Sequence, residues 1–291
     1  MEQELIYKDF SSISPSARWL LLMKGYTGIP FAREAAELLE HPNPFVPDFK
    51  KRDSIFWAST YHFESRYLSV NNLLKDLSIR NILELSSGYS FRCLEFAMRE
   101  GVHYIDTDLP ELITAKKEFL KKLVKDESAI KGKLELLPLN VVDSQDFHEI
   151  TGHFSNGEVT IINEGLFTYL NKNEQEKLCS NIHEVLTRRG GCWINADIYL
   201  KNKQPQLGFH SDERVKKFYE QHNTESNSFE SFDEAESYFR KMGFFVEKES
   251  VVRSSELSSL KYLLRNIPFR QLLKYRKAGK IQATWRLRAI S

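Results

Sequence analysis

From residue 81 onward, short apolar runs alternate with amphipathic stretches, and this rhythm sets the first expectation about the fold. NILEL (81–85), VHYID (102–106), LELLPL (134–139), VTIIN (159–163) and CWINADI (192–198) have the length and β-branched content of buried strands. Between them FRCLEFAMRE, PELITAKKEFLKKLV and NEQEKLCSNIHEVLTRR repeat apolar positions at helical spacing, the last stopped by Gly190-Gly191. Such alternation is what βα units of a parallel sheet produce. A polar stretch follows Asp197, then a helix in SFDEAESYFRKMG, a strand in FFVEKESV, a basic helical segment and a last strand in ATWRLRAI. The pattern predicts seven strands, five of them in a parallel run. Before residue 81 the chain reads differently. SARWLLLM and FAREAAELLE predict one or two helices broken at Gly25–Pro30, HPNPFVPDF ends that unit, and residues 54–77 form a second, aromatic-rich helical stretch. The expected division is a helical cap over residues 1–77 on an α/β unit over residues 78–291.

Composition narrows the function. The 41 basic and 40 acidic residues nearly cancel, unlike the strong basic bias of a protein that grips nucleic acid through its phosphates, so a small-molecule or peptide partner is expected and no nucleic acid. Three cysteines without CxxC spacing suggest neither a disulfide framework nor a zinc cluster, and no metal site is expected. The first residues lack a signal-peptide pattern and no apolar stretch is long enough to span a bilayer. A cytoplasmic protein without a membrane partner is the resulting expectation, with the oligomeric state left open.

In a doubly wound sheet, ligands sit at the carboxyl ends of the strands near the point where strand order reverses. Four loops there carry suggestive residues. After the first strand, which ends on Glu84-Leu85, Ser86-Ser87-Gly88 offers small residues that let backbone approach a ligand, although strand-to-helix turns often contain serine and glycine. The second strand delivers Asp106 and Asp108 about 20 residues after that turn, where a carboxylate can accept from both hydroxyls of a ribose. Asp108 precedes Leu109-Pro110 and also reads as a helix cap; its pairing with the first loop favours the ribose. The third loop, LNVVDSQDF, offers Asn140 or Asp143 to an adenine, with Asp143 equally readable as a solvated acid. In the fourth, VTIINEGLFTYL places Glu164 and Gly165 where a buried strand stops. A carboxylate there is costly unless paired, and an aminoacyl ammonium is a suitable partner.

Together these loops resemble the leucine carboxyl methyltransferase and polyketide O-methyltransferase family of class I methyltransferases, most specifically in LELSSGYSFR, YIDTDLPELITAKK and INEGLFTYL. The resemblance implies a Rossmann-like seven-stranded sheet with its last strand antiparallel, S-adenosylmethionine as methyl donor, and transfer to a carboxyl or hydroxyl oxygen. By position, Gly88 matches the glycine-turn contact, Asp108 with Leu109 the ribose side, Asn140-Val141 the adenine side, and Glu164 the acid near the methionine ammonium. Arg18 and Arg66 match basic positions near the methionine carboxylate, which a guanidinium binds through two parallel hydrogen bonds. Arg92 is kept in the SGYSFR form, which is similar to a smaller branch of tetracenomycin-type O-methyltransferases. Family members commonly have glycine at Ser86, an Asp-Thr-Arg run at Ser90-Phe91-Arg92, and aspartate at Asn140. Serine at 86 is tolerable if its backbone stays in an ordinary region, so cofactor binding is expected to persist.

Methyl transfer from a sulfonium is an in-line displacement in which positioning and water exclusion supply much of the rate. A carboxylate acceptor needs no base, whereas a hydroxyl benefits from one. His210 is a candidate base, and Tyr169, Trp57 and Tyr61 are candidate pocket walls, each also readable as an ordinary loop or packing residue. Two rival readings stay open: a catalytically silent binding module of the same fold, and a nicotinamide oxidoreductase, which a fuller glycine fingerprint would mark. Nucleic-acid methylation lacks its usual Asn/Asp-Pro-Pro-Tyr motif after the fourth strand.

Overall fold

The computed structural model describes residues 14–39, 48–50, 52–78, 80–201 and 226–290. Three helices come first: α1 (Ser14–Lys24), α2 (Ala32–Leu39) and the long α3 (Ser54–Lys75). Asp53 starts α3 by accepting from the Phe56 amide at 2.8 Å, satisfying a donor that the helix itself leaves unpaired. The alternating region follows as β1 (Asn81–Leu85), α4 (Arg92–Ala97), β2 (His103–Asp108), α5 (Pro110–Leu123), β3 (Lys133–Pro138), α6 (Ser144–Gly152), β4 (Val159–Asn163), α7 (Lys172–Arg189) and β5 (Gly191–Tyr199). Then come α8 (Phe232–Lys241), β6 (Phe244–Glu249), α9 (Leu260–Asn266), α10 (Phe269–Ala278) and β7 (Gln282–Ala289).

The strands form one seven-stranded sheet in the order β3-β2-β1-β4-β5-β7-β6. β1 to β5 pair in parallel, and β7 runs antiparallel to both β5 and β6, so the expected sheet with its antiparallel last strand is present. Adjacent residues of the central strands point to opposite faces, and both faces are covered. Leu83, Ile161 and Trp193 pack with α6, α7 and α8 on one side, while Ile82, Ile162 and Ile194 pack with α1 to α5 on the other. Each fully buried Ile or Leu contributes roughly 1.5–3 kcal/mol, so the continuous apolar runs of β1 and β4 are stable only inside such a three-layer arrangement.

The order of the strands decides where a ligand can sit. From β1 the chain progresses outward through β2 and β3, whereas from β4 it progresses the other way, so the reversal lies between β1 and β4. α3 is tied to β7 and to the segment that leads into α9. Ser69 Oγ lies 2.6 Å from Thr284 Oγ1, and Glu64 accepts from the amides of Ser258 and Ser259 at 3.0 and 2.9 Å.

Candidate cofactor site

The turn after β1 is shaped by two residues in the left-handed region, Ser86 (φ 48°) and Gly88 (φ 54°). The condition set for serine at position 86 is therefore not met: its side chain sits where an L-residue pays strain of about 1–2 kcal/mol. What holds the turn is polar. The Gly88 amide donates to Asp108 Oδ2 at 2.6 Å, and the Leu109 amide donates to Oδ1 at 2.7 Å. Asp108 thus bridges the ends of β1 and β2 instead of capping α5, whose N-cap is Leu109. Burial pushes its carboxyl up to about 6, against the opposing pull of those amides and of Lys116. α1 closes over the same turn, since a side chain on Gly88 would stand 3.4 Å from Ala17 Cβ.

Asp106, two residues earlier, faces elsewhere. Its carboxylate is fully buried, 2.6 Å from Lys116 Nζ and 2.5 Å from Ser87 Oγ, and Lys116 also donates to Ser87 Oγ at 2.8 Å. This triad braces the turn from behind. Lys116 was not singled out in the sequence, although a signal existed: it occupies the apolar stripe of α5 with Leu112 and Leu120 at four-residue spacing.

At the end of β4, Glu164 gathers three cations. Lys24 Nζ lies 2.8 Å from Oε1, Arg92 Nη2 2.7 Å from Oε2, and Arg66 Nε 3.5 Å from Oε1. Burial alone would raise the Glu164 pKa, but Lys24, Arg92 and Arg66 outweigh it and hold the carboxyl well below its usual range. Lys24 itself is lowered by burial, with Glu164 opposing. Arg92 is fully buried, binds Glu84 through Nη1 and Asn71 through Nε at 2.8 Å, and lies 4.3 Å from the Tyr67 ring centroid. Glu84 is equally buried and also accepts from Tyr104 at 2.6 Å. Glu84, Arg92 and Asp106 thus form a buried layer whose polar atoms are bonded to neighbouring side chains.

Gly165, at φ 87°, brings its amide to 2.7 Å from Asp197 Oδ1; Asp197 Oδ2 accepts from the Leu166 and Phe167 amides at 2.8 and 3.0 Å. A side chain on Gly165 would stand 3.2 Å from Arg66 Nη2, so the glycine lets the guanidinium approach. Arg66 Nη1 donates to Tyr199 Oη at 3.0 Å, and His62 Nε2 lies 2.7 Å from the same oxygen. Burial, reinforced by the Arg66 charge, lowers His62 to about 3, which leaves the ring neutral at pH 7. Asp197, Tyr199, His62 and Lys24 escaped the sequence reading: an acid inside an apolar strand and a lysine before glycine carry no pattern of their own.

The remaining expected residues lie around this centre. The loop after β3 meets the end of β2 through the Leu139 amide, which donates to the Asp108 carbonyl at 3.0 Å. In that loop Asn140 Oδ1 accepts from Val142 N at 3.3 Å, the Val141 carbonyl accepts from Asn181, and Asp143 caps α6 by accepting from Gln145 and Asp146 amides. Arg18 is exposed on α1 and donates to the Leu39 carbonyl at 3.4 Å. Tyr169 is half-buried in the turn after β4, Tyr61 is half-buried on α3, and Trp57 is fully buried with its ring stacked 4.8 Å from Tyr262. His210 lies outside the described residues. Among the described residues no cluster of metal-ligating side chains is present, and all three cysteines are free and buried.

The donor set matches the two ends of an aminoacyl nucleoside. Buried Arg66 Nε has no hydrogen-bond partner, and the Lys24 ammonium hydrogen-bonds Glu164 alone among the described residues, so a carboxylate would find donors there. Glu164 and Asp108 are the carboxylates of this centre, one at the end of β4 and one at the end of β2. The sequence pattern of leucine carboxyl methyltransferases matches residues 21–183, more than half of the chain, from within α1 to within α7 and including Lys24, Arg66, Gly88, Asp108 and Glu164. The chain belongs to the leucine carboxyl methyltransferase family. It is therefore a member of an S-adenosylmethionine-dependent methyltransferase family, and S-adenosylmethionine is the cofactor that family membership brings. No curated protein matches it in sequence. Among solved structures, a DUF574 family protein from Streptomyces avermitilis is 12% identical, with a TM-score of 0.57 over 96% of this chain and 99% of that one. The methyltransferase domain of bacterial CtHen1 is 13% identical, with a TM-score of 0.52 over 79% of this chain and all of that one. At such identities the likeness is one of fold. No described helix is long and apolar enough to cross a membrane.

Proposed function

We propose that the protein transfers a methyl group from S-adenosylmethionine to an oxygen of a small-molecule or peptide acceptor, either a carboxyl or a hydroxyl. The observation that carries this reading is the convergence of Lys24, Arg66 and Glu164 beside the Gly88–Asp108 turn, at the reversal of strand order. When bound, the cofactor supplies an electrophilic methyl group on a sulfonium centre. Lys24 and Arg66 hold the methionine carboxylate, Glu164 the ammonium, and Asp108 the ribose hydroxyls, with the loop at Asn140 and Val141 beside the adenine. By holding both ends of the donor, these residues would fix its place relative to an acceptor oxygen, so that positioning is the contribution of the protein.

Tyr199 and His62 stand on the far side of Arg66. The assay is a coupled measurement of S-adenosylhomocysteine release across carboxylic acids, phenols, alcohols and short peptides, with mass spectrometry locating the added methyl. Methylation confined to an oxygen supports the reading. Cofactor binding without turnover on any acceptor class favours a silent binding module of the same fold.

A further inference from the structure

Seven of the 41 basic residues, and none of the 40 acids, lie between Lys261 and Lys280. The whole chain carries a net charge of only +1, so this segment is a concentrated positive surface on an otherwise slightly acidic molecule. It comprises α9 and α10, separated by Ile267-Pro268. The inner side is anchored: Tyr262 stacks on Trp57, and Gln271 bonds Ser54 at 3.1 Å and Tyr275 at 3.0 Å. Lys280 pairs with Glu249. Lys261, Arg265, Arg270, Lys274, Arg276 and Lys277 are exposed without an ion-pair partner among the described residues.

The same outer side carries apolar groups. Phe269 is 73% exposed, Leu264 54% and Leu273 40%. Phe269 and Leu273 are four apart on α10 and so form one stripe, with Arg270, Lys274 and Lys277 on the adjoining one. A single exposed leucine is ordinary, but three apolar side chains within ten positions, interleaved with cations and with no acid in the segment itself, are not. Apolar groups alone would suit any partner. Their combination with unpaired lysines and arginines, and without acids, is the composition of a helix that lies in a bilayer interface, its apolar stripe among the acyl chains and its cations on anionic headgroups.

We propose that α9 and α10 dock the protein on an anionic lipid surface. Expecting no membrane partner rested on the want of a spanning segment, and surface association needs none. The anchoring of α10 on α3 through Gln271 and Ser54 couples this surface to the helix that carries His62 and Arg66.

Flotation of the purified chain with phosphatidylcholine vesicles, with and without phosphatidylglycerol, tests this. Binding is expected only to the anionic vesicles and should fall steeply with salt. Each cation near a charged bilayer is worth about fivefold in partitioning, so Arg270→Gln with Lys274→Gln should weaken binding roughly 25-fold. Phe269→Ser should weaken it roughly tenfold with the charge unchanged. All three positions are exposed, and unaltered unfolding curves and S-adenosylmethionine binding would show the fold intact. No vesicle binding by the wild type overturns the proposal. Equal binding of Phe269→Ser, or salt-sensitive capture of soluble polyglutamate unaffected by Phe269→Ser, also overturns it and points to an acidic protein partner.

Discussion

The carboxyl of Asp108 connects proton binding to cofactor binding. Burial raises it from an ordinary value of 3.8 to about 6, while the Gly88 and Leu109 amides recover only part of the lost hydration. At about 1.4 kcal/mol per pH unit, this displacement means roughly 3 kcal/mol of disfavoured charge in the free protein. Because the folded pKa lies above the unfolded one, the group's contribution to stability is present below pH 3.8 and is lost as pH rises through 6. Two ribose hydroxyls donating to the carboxylate would reverse much of that penalty, so cofactor binding should favour the ionised form. The affinity for S-adenosylmethionine is then expected to be flat above pH 7 and to weaken by up to about tenfold per unit below pH 6. Near pH 6 the free group is half protonated, so binding should release about half a proton per cofactor. Calorimetric titration at pH 5, 6 and 7, in buffers of different ionisation enthalpy, reads both quantities. Asp108→Asn keeps the shape but offers one acceptor oxygen in place of two; it should lose roughly 100-fold in affinity at pH 7 and abolish the proton release. An affinity independent of pH between 5 and 7, or proton release unchanged in the variant, would refute the assignment of Asp108 to the ribose.

Other positions give sharper stability tests. Glu164→Gln leaves Lys24, Arg66 and Arg92 without their shared anion and should cost about 3–5 kcal/mol in urea unfolding. Since that carboxyl is held below its ordinary value, its contribution is complete above the usual carboxylate range and fades as pH falls through the lowered folded value. Lys116→Met should cost a similar about 3–5 kcal/mol by stranding Asp106, and Asp106→Asn in the same chain should return part of it; an undiminished loss in the double variant would show that the pair is not the cause. Ser86→Gly should raise stability by about 0.5–1 kcal/mol, the relief of left-handed strain less the greater freedom of the unfolded chain, measured as a shift in the urea midpoint. Gly165→Ala should destabilise by about 1–2 kcal/mol and weaken cofactor binding, because φ 87° is poorly open to alanine and its methyl would press on Arg66.

Much of the framework follows from local pattern. β1 and β4 coincide with the runs NILEL and VTIIN, because buried runs of five residues, bounded by turn residues and containing β-branched side chains, are too short for a buried helix and fit a strand covered on both faces. The capping box Asn171–Glu174 and the positive φ of Gly190 explain why α7 starts and stops where the sequence says. The short α6 was not predicted; SQDFHEITG has only two large apolar residues, and its start depends on Asp143 turning its carboxylate onto the Gln145 and Asp146 amides. The same fact gives Asp143 a structural partner that the sequence left open.

The sequence by itself determined the strand-helix alternation, the acids at the strand ends and the family, because each is written in contiguous residues. Only the tertiary structure decided which charges meet. Lys24 and Glu164 are 140 residues apart, Arg66 and Tyr199 are 133 apart, and no local periodicity specifies either pair. Asp106 and Asp108 share one strand and two-residue spacing, yet one is sealed against Lys116 and the other holds the glycine turn. Their chemistry differs because packing sets the dielectric and the donors around each carboxylate, and those neighbours come from separate elements brought together only when the sheet and its helices close.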